Sequence, residues 1–210
     1  MVDRDTNPFR ENIMFCALCL CARLFYFVID SHMVRGSKLN LQANKNDTEE
    51  SGVEIFSISP VGKINVNDDG IFVEIDKKYL TAMQALDGFS HLNILWWFSD
   101  YDNEEMRNIF EMPQPYKNSP EIMGIFATRS PVRPNPIALT TVQVISIDCE
   151  KGTIHIADID ANDGTPVLDI KPYTPSIDRV ETPGVPEWCC HWPKSLEQSK
   201  NFDWGKEFNF

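Results

Sequence analysis

Basic side chains are scarce in this chain. Its 210 residues hold 19 Lys plus Arg against 31 Asp plus Glu, a formal charge of −12, and that balance excludes the broad cationic surface by which proteins usually grip phosphate backbones. Any contact with nucleic acid has to be local. Cysteine is sparse and uneven: Cys16, Cys19 and Cys21 share one hydrophobic stretch, Cys149 stands alone, and Cys189 and Cys190 are adjacent. Such spacing does not make the framework of a small secreted scaffold and points to a reducing compartment, taken here as the cytoplasm. Long apolar runs are missing too. The one segment that could address a membrane, residues 13–29, is barely a span and carries Arg23 near its middle, so no stable membrane association is expected. It is also a poor signal peptide, because Asp3, Asp5 and Glu11 outweigh Arg4 and Arg10 ahead of it and no small-residue cleavage site follows. There is no internal repeat. No G-x-G-x-x-G, Walker loop, G-x-S-x-G or H-E-x-x-H occurs, which removes the usual dinucleotide, nucleotide, hydrolase and zinc-protease signatures.

What is present suffices for one packed domain: 42% of residues are hydrophobic, with 13 Phe, 5 Trp and 5 Tyr. Residues 1–52 read as an N-terminal extension, comprising the hydrophobic segment 13–29 and, from Met33, a flexible polar lead-in too poor in apolar side chains to order itself. The domain is expected over 53–178 and a Pro- and Trp-rich tail over 179–210. Within the domain, period-two alternation predicts strands at 53–57 and 71–75, and the three-residue spacing of Leu80, Met83 and Leu86 predicts one short helix over 77–86. The unbroken apolar run 92–98 suits a central strand buried on both faces. A long excursion over 99–119 holds at most a turn of helix near 106–110. Further strands are expected at 124–128, 137–147, 153–159 and 166–170, separated by turns at 149–152 and 162–164. The fold class is therefore mainly β: an antiparallel barrel, closed or nearly so, with one or two short helices and a tail wrapping its outside.

Two constellations carry chemistry. The loop 128–136 places prolines at 131, 134 and 136, so it forms neither helix nor central strand and acts as a stiff presenter of Arg129, Arg133 and Asn135. Guanidinium groups suit a carboxylate or phosphate; the plainer role is a tie to one of the chain's many acidic residues. The second constellation is Asp158, Asp160, Asp163, Gly164 and Thr165, leading into Asp169, Lys171 and Tyr173. The Asn162-Asp163-Gly164 turn brings Asp160 back beside Asp163 and Thr165. Crowded carboxylates there call for a cation such as Lys171 or Arg129, or for donors on a ligand, for instance a ribose diol or an exocyclic amine. A divalent metal is the rival occupant. The turn lacks the twelve-residue calcium-loop spacing, and Cys189-Cys190-His191 lacks the partner cysteines of a zinc site, so no metal is expected. His91 reads as a structural histidine.

Read together, Gly124-Ile-Phe-Ala-Thr-Arg129-Ser-Pro-Val-Arg133-Pro-Asn135-Pro-Ile and Asp163-Gly-Thr-Pro-Val-Leu-Asp-Ile-Lys171-Pro-Tyr resemble the TsaA-like, or TrmO, family. Pro60-Val-Gly-Lys and Gly88-Phe-Ser-His91 add to the resemblance, which covers about residues 53–178. It implies a homodimeric β-barrel methyltransferase that uses S-adenosyl-L-methionine and methylates N6 of threonylcarbamoyl-adenosine beside the anticodon of tRNA. By motif, Arg129 and the segment from Asp160 through Asp163 and Gly164 to Thr165 would contact the methyl donor, with Arg133, Asn135 and Lys171 lining the same pocket. The transfer is an in-line displacement, in which alignment is the protein's main work. Asp100 or an Asp of 158–163, notably Asp160, is the expected proton acceptor, and Lys171 or Arg129 the expected grip on the donor's carboxylate.

Three departures from the family pattern stand out. The Pro-Arg-Gln stretch between the first strands is missing from residues 64–70, Ser99-Asp100 stands where tRNA-modifying members have His-Gln, and residues 179–210 replace the C-terminal domain of longer bacterial enzymes. The same pocket could therefore serve a small-molecule methyltransferase or a donor-binding protein without turnover.

Overall fold

The structure, a computed structural model, describes residues 56–209. The hydrophobic segment 13–29, the polar lead-in and residues 53–55 of the first expected strand lie outside them. Six strands close into a barrel in the order β1-β2-β7-β6-β3-β8, every neighbouring pair antiparallel. They are β1 (Gly62–Asn67), β2 (Gly70–Ile75), β3 (His91–Trp97), β6 (Ile137–Asp148), β7 (Thr153–Ile156) and β8 (Pro166–Pro172). Two further strands, β4 (Glu111–Pro113) and β5 (Ile122–Gly124), pair outside the barrel.

Alternation dictates the interior. Ile64, Val73, Ile94, Ile154, Ile156, Val142 and Val167 are fully buried, joined by Leu92 and Trp96 from β3. Each such side chain contributes about 1.5–3 kcal/mol through water release. Met83 and Ile159 join the same core from connecting segments. The strand β3, expected to be buried on both faces, is fully buried on one and partly on the other, where His91, Leu95 and Trp97 keep some exposure. Leu92, Ile94 and Trp96 line the core, while Asn93 is buried in a polar joint, donating to Asp178 Oδ1 at 3.0 Å and accepting from the Thr141 hydroxyl at 2.7 Å. Asp178 ends the short helix α2 (Pro175–Asp178). A bulge between Leu95 and Trp96 shifts the pairing with β8, as barrels require where a strand bends.

Several expected elements move. Residues 56–60 form no strand; the first one is β1, whose Ile64 faces the core while Asn65 and Asn67 face out, and which turns into β2 through Asp68-Asp69-Gly70. The strand expected at 124–128 stops at Gly124, because both the amide and the hydroxyl of Thr128 bond to the Ile125 carbonyl and wind Ile125–Ala127 into a 3₁₀ turn. The helix expected over 77–86 is a 3₁₀ helix, Lys77–Met83. In the excursion, α1 (Glu104–Arg107) is capped by the Asn103 side chain, which accepts from the Met106 amide at 2.9 Å.

The tail builds a small core of its own. Tyr116, in the β4–β5 connection, stacks on Trp188 and meets Trp192 edge-on, and Phe208 and Trp204 close the group. Backbone bonds from Lys117 to Glu207 and from Asn209 to Pro115 tie the chain end to the β4–β5 connection. Glu207 accepts from Trp192 Nε1 at 3.1 Å and lies 2.9 Å from His191 Nε2. Cys189 points its thiol at the Pro186 carbonyl, so Cys189 and His191 are engaged within the tail, while Cys190 is exposed.

Candidate functional site

The proline loop is anchored by apolar burial and braced from within. Pro131, Val132 and Pro136 are buried. Ser130 Oγ accepts from the Val132 amide and Thr128 Oγ1 from the Ser130 amide, both at 3.2 Å. Arg133, half-buried, donates from Nη2 to the Thr128 carbonyl at 2.9 Å, and its Nε is buried without an acceptor. Burial, with the charge of nearby Arg129, pushes the Arg133 guanidinium below its ordinary value; a guanidinium so placed remains charged. The plainer role for the loop arginines thus falls to Arg133, with one change: it ties the loop to its own carbonyls rather than to an aspartate.

Arg129 is exposed. It spends one bond on the Leu139 carbonyl, Nη1 to O at 3.1 Å. Among the described residues no carboxylate forms an ion pair with Arg129 or Arg133, so two neighbouring cations stand uncompensated in an acidic protein. Leu139 itself, on the outward face of β6, is 46% exposed and sets an apolar surface beside the guanidinium. Asn135 is exposed at the loop's end, its carbonyl accepting from the Ile137 amide.

The acidic segment crosses from β7 to β8. Its turn is closed by Thr165 N–H to the Asn162 carbonyl, with Gly164 at φ +79°, a conformation glycine adopts without strain. Asp163 Oδ1 accepts from the Val66 amide at 2.8 Å, and Gly164 and Thr165 bond to the Ile64 backbone. Asp163, Gly164 and Thr165 therefore staple the turn to β1. Both carboxyl oxygens of Asp160 are shielded from solvent. Burial holds the Asp158 carboxyl above its usual value, against the pull of Lys200. Lys171 is exposed and pairs with Asp169, two residues earlier on β8, at 2.7 Å; the hydrogen bond it donates to Asp169 holds its ammonium above the ordinary value. That contact runs along one strand.

The two constellations meet at the end of β3. Phe98, just past Trp97, donates its amide to the Pro136 carbonyl at 2.8 Å, joining β3 to the proline loop. Asp100, in the 3₁₀ turn Ser99–Tyr101, accepts from Asn162 Nδ2 at 2.7 Å, joining the same strand end to the acidic turn. The structure thus brings Asp100 to the border of both loops, whereas no ion pair links Arg129 or Arg133 to the 158–163 carboxylates. Leu139 and Asn162 escaped sequence reasoning. Only the alternation of β6 marks Leu139 as outward-facing, and Asn162 reads from sequence as a turn former alone. Among the described residues no group of three His, Cys, Asp or Glu side chains is placed to hold a metal ion, and no helix is long and apolar enough to cross a membrane.

Comparison with known proteins fits this geometry. Residues 57–179 match the family model described as the tRNA-methyltransferase O N-terminal domain. A probable S-adenosyl-L-methionine-binding protein of Pyrococcus horikoshii is 41% identical over 127 residues, covering 60% of this chain and 88% of that one. A second protein of that description, from Methanocaldococcus jannaschii, is 34% identical over 125 residues, covering 59% and 97%. The tRNA (adenine(37)-N6)-methyltransferase of Escherichia coli is 41% identical over 96 residues, covering 45% of this chain but 40% of the enzyme. The crystal structure of TrmO from Pseudomonas aeruginosa superposes with a TM-score of 0.50 at 26% identity, covering 64% of this chain and 62% of that one. A matching domain of this extent, built on the closed barrel with the arginine loop and acidic turn at one strand end, makes the chain a member of the tRNA-methyltransferase O family through residues 57–179.

Proposed function

We propose that the barrel binds S-adenosyl-L-methionine and directs methyl transfer to N6 of a tRNA adenosine, with residues 53–178 as the working unit. The observation that carries this reading is the exposed Arg129 beside half-buried Arg133, without a carboxylate partner, at the strand end that also presents Asp100. The residues suit the donor: a guanidinium for its carboxylate, an exposed leucine for its apolar parts, and an acidic turn for a cationic, hydroxyl-bearing ligand. When bound, the donor supplies an electrophilic methyl group on a sulfonium.

The chain's own residues bind, orient and move a proton. Arg129 holds the carboxylate, Arg133 keeps the loop rigid, and Asn135 and Lys171 border the ligand. The Asp163-Gly164-Thr165 turn walls the site from the β1 side, and Asp160 supports that wall from within. Because the Asp160 oxygens are shielded, the proton-accepting role falls to Asp100, whose Oδ2 is held by Asn162 and whose other oxygen takes the N6 proton. Incubation with labelled donor and tRNA tests the reading: the wild type transfers label to tRNA that carries threonylcarbamoyl-adenosine. Asp100→Asn is expected to lower turnover about a hundredfold, the usual worth of a positioned base, while donor affinity stays within a factor of two. Equal turnover in the variant removes Asp100 from the reaction. Exposed carboxylates at Asp100 and Asp163 beside the loop favour a second reading, donor binding without a tRNA substrate; donor binding with no transfer to any tRNA decides for it.

The proposal includes a homodimer. Phe110, Ile122 and Phe126, the last 86% exposed, stand on or next to β4 and β5, and exposed aromatic and aliphatic side chains of this kind suit an interface between copies. Sedimentation at micromolar concentration is expected to give twice the chain mass, and Phe126→Asp to halve it; a monomeric wild type refutes this part.

A further inference from the structure

The excursion between β3 and β4 holds a cluster that donor binding leaves unused. Trp97, the last residue of β3, donates from Nε1 to Asp102 Oδ2 at 2.9 Å. Arg107, the last residue of α1, donates from Nε to Asp102 Oδ1 at 2.5 Å, and its guanidinium carbon lies 5.5 Å from the centre of the Trp97 ring. The same guanidinium donates from Nη1 to the Pro134 carbonyl at 3.2 Å. Asp102 is two residues past Asp100, and Pro134 is one residue before Asn135. One planar group therefore ties the segment that carries Asp100 to the loop that carries Arg129, Arg133 and Asn135.

We propose that Arg107 is a positioning residue that fixes the spacing between Asp100 and the arginine loop, and with it the alignment of nucleophile and methyl donor. The inference rests on the roles given above to Asp100 and Arg129. Its physical basis is geometric. In-line displacement tolerates little misplacement, and an ångström at the reacting atoms costs about a hundredfold in rate. A guanidinium can serve a carboxylate, a carbonyl and a ring face at once because its donors lie in one rigid plane, whereas an ammonium on a flexible stem cannot. Arg107 meets all three partners. The Arg107 hydrogen bond also holds the Asp102 carboxyl below its usual value, so the tie persists wherever the enzyme is folded near neutral pH. On the far side Asn162 holds Asp100, which leaves that residue supported from two directions.

The test uses the full chain with Arg107→Ala and Arg107→Lys. With tRNA as substrate, Arg107→Ala is expected to lose about thirtyfold to a hundredfold in kcat, while the donor Kd measured by calorimetry rises no more than threefold, because Arg129 keeps its own contacts. Arg107→Lys should recover only a small part of kcat, since it restores charge without the fork. Hydrogen exchange gives a readout independent of turnover: the amides of Phe98 and Ile137, which bond to the Pro136 and Asn135 carbonyls, should lose protection together in Arg107→Ala. A kcat within twofold of the wild type overturns the proposal. So does a loss of donor affinity matching the loss of kcat, which marks general destabilisation. If the wild type transfers methyl to no tRNA, the functional reading fails, and the exchange measurement still decides this one: joint loss of protection supports it, unchanged protection overturns it. Should Arg107→Ala not fold, Asp102→Ala removes the acceptor shared by Arg107 and Trp97 and is read the same way.

Discussion

Replacing Arg129 by alanine is expected to weaken S-adenosyl-L-methionine binding about tenfold to a hundredfold, the equivalent of one charge-assisted hydrogen-bonded contact. The size follows from the loop's division of labour. Arg133 is turned inward onto the Thr128 carbonyl and cannot take over, and Lys171 is engaged by Asp169. Of the two loop arginines, Arg129 is the one with unspent donors at the surface, having used one nitrogen on the Leu139 carbonyl. Its removal should also cancel most of the rise in Tm that saturating donor confers, since that rise scales with affinity. Arg129→Lys should fall between, keeping charge and losing the paired geometry. Calorimetry that returns the wild-type Kd for Arg129→Ala would refute the assignment.

Gly62→Ala should be the most damaging single methyl group that can be added to the barrel. A Cβ at Gly62 would lie 2.1 Å from the Glu74 carbonyl oxygen and 3.1 Å from Ile75 Cα, and these are backbone atoms of β2, which cannot swing aside. The strand would have to shift, yet β1 closes the barrel onto β8 through just two register pairs, Gly62 with Val167 and Lys63 with Pro166. We expect a loss of about 3 kcal/mol or more, at the upper end for overpacking, measured as a lower denaturant midpoint or as insoluble protein. Gly164→Ala is the control. It meets open space and suffers only from its positive φ, at about 1–2 kcal/mol. If the two variants melt alike, steric closure at β1 is not what limits the barrel.

How much of this was readable in advance depends on where the physical signal lies. The run 92–98 declared a central strand, because water exclusion removes polar residues from a strand's middle; one face is fully buried and the other partly, and Asn93 is held there by its two side-chain bonds. The arginine loop and the acidic turn were legible from proline and glycine, whose backbone limits act locally. The strand β1 was missed because Lys63, Asn65 and Asn67 dilute its alternation to a single buried isoleucine beside Gly62. The pair β4–β5 was hidden by Pro113, Pro115 and Pro120; Pro113 is tolerated because a two-stranded sheet is all edge. The tie through Arg107 had no local signature at all. Its partners lie 5, 10 and 27 residues away along the chain, and only the folded path brings them within reach. The same holds for Asn162 and Asp100, 62 residues apart.

The aromatic group around Tyr116 has a consequence for how this protein can be shortened. A lone pair of three-residue strands is at best marginal in water, so β4 and β5 lean on rings supplied from the far end of the chain, Trp188, Trp192, Trp204 and Phe208. A stop codon late in the reading frame would therefore injure the protein first near residue 116, some ninety positions upstream of the lesion, while leaving the barrel itself intact.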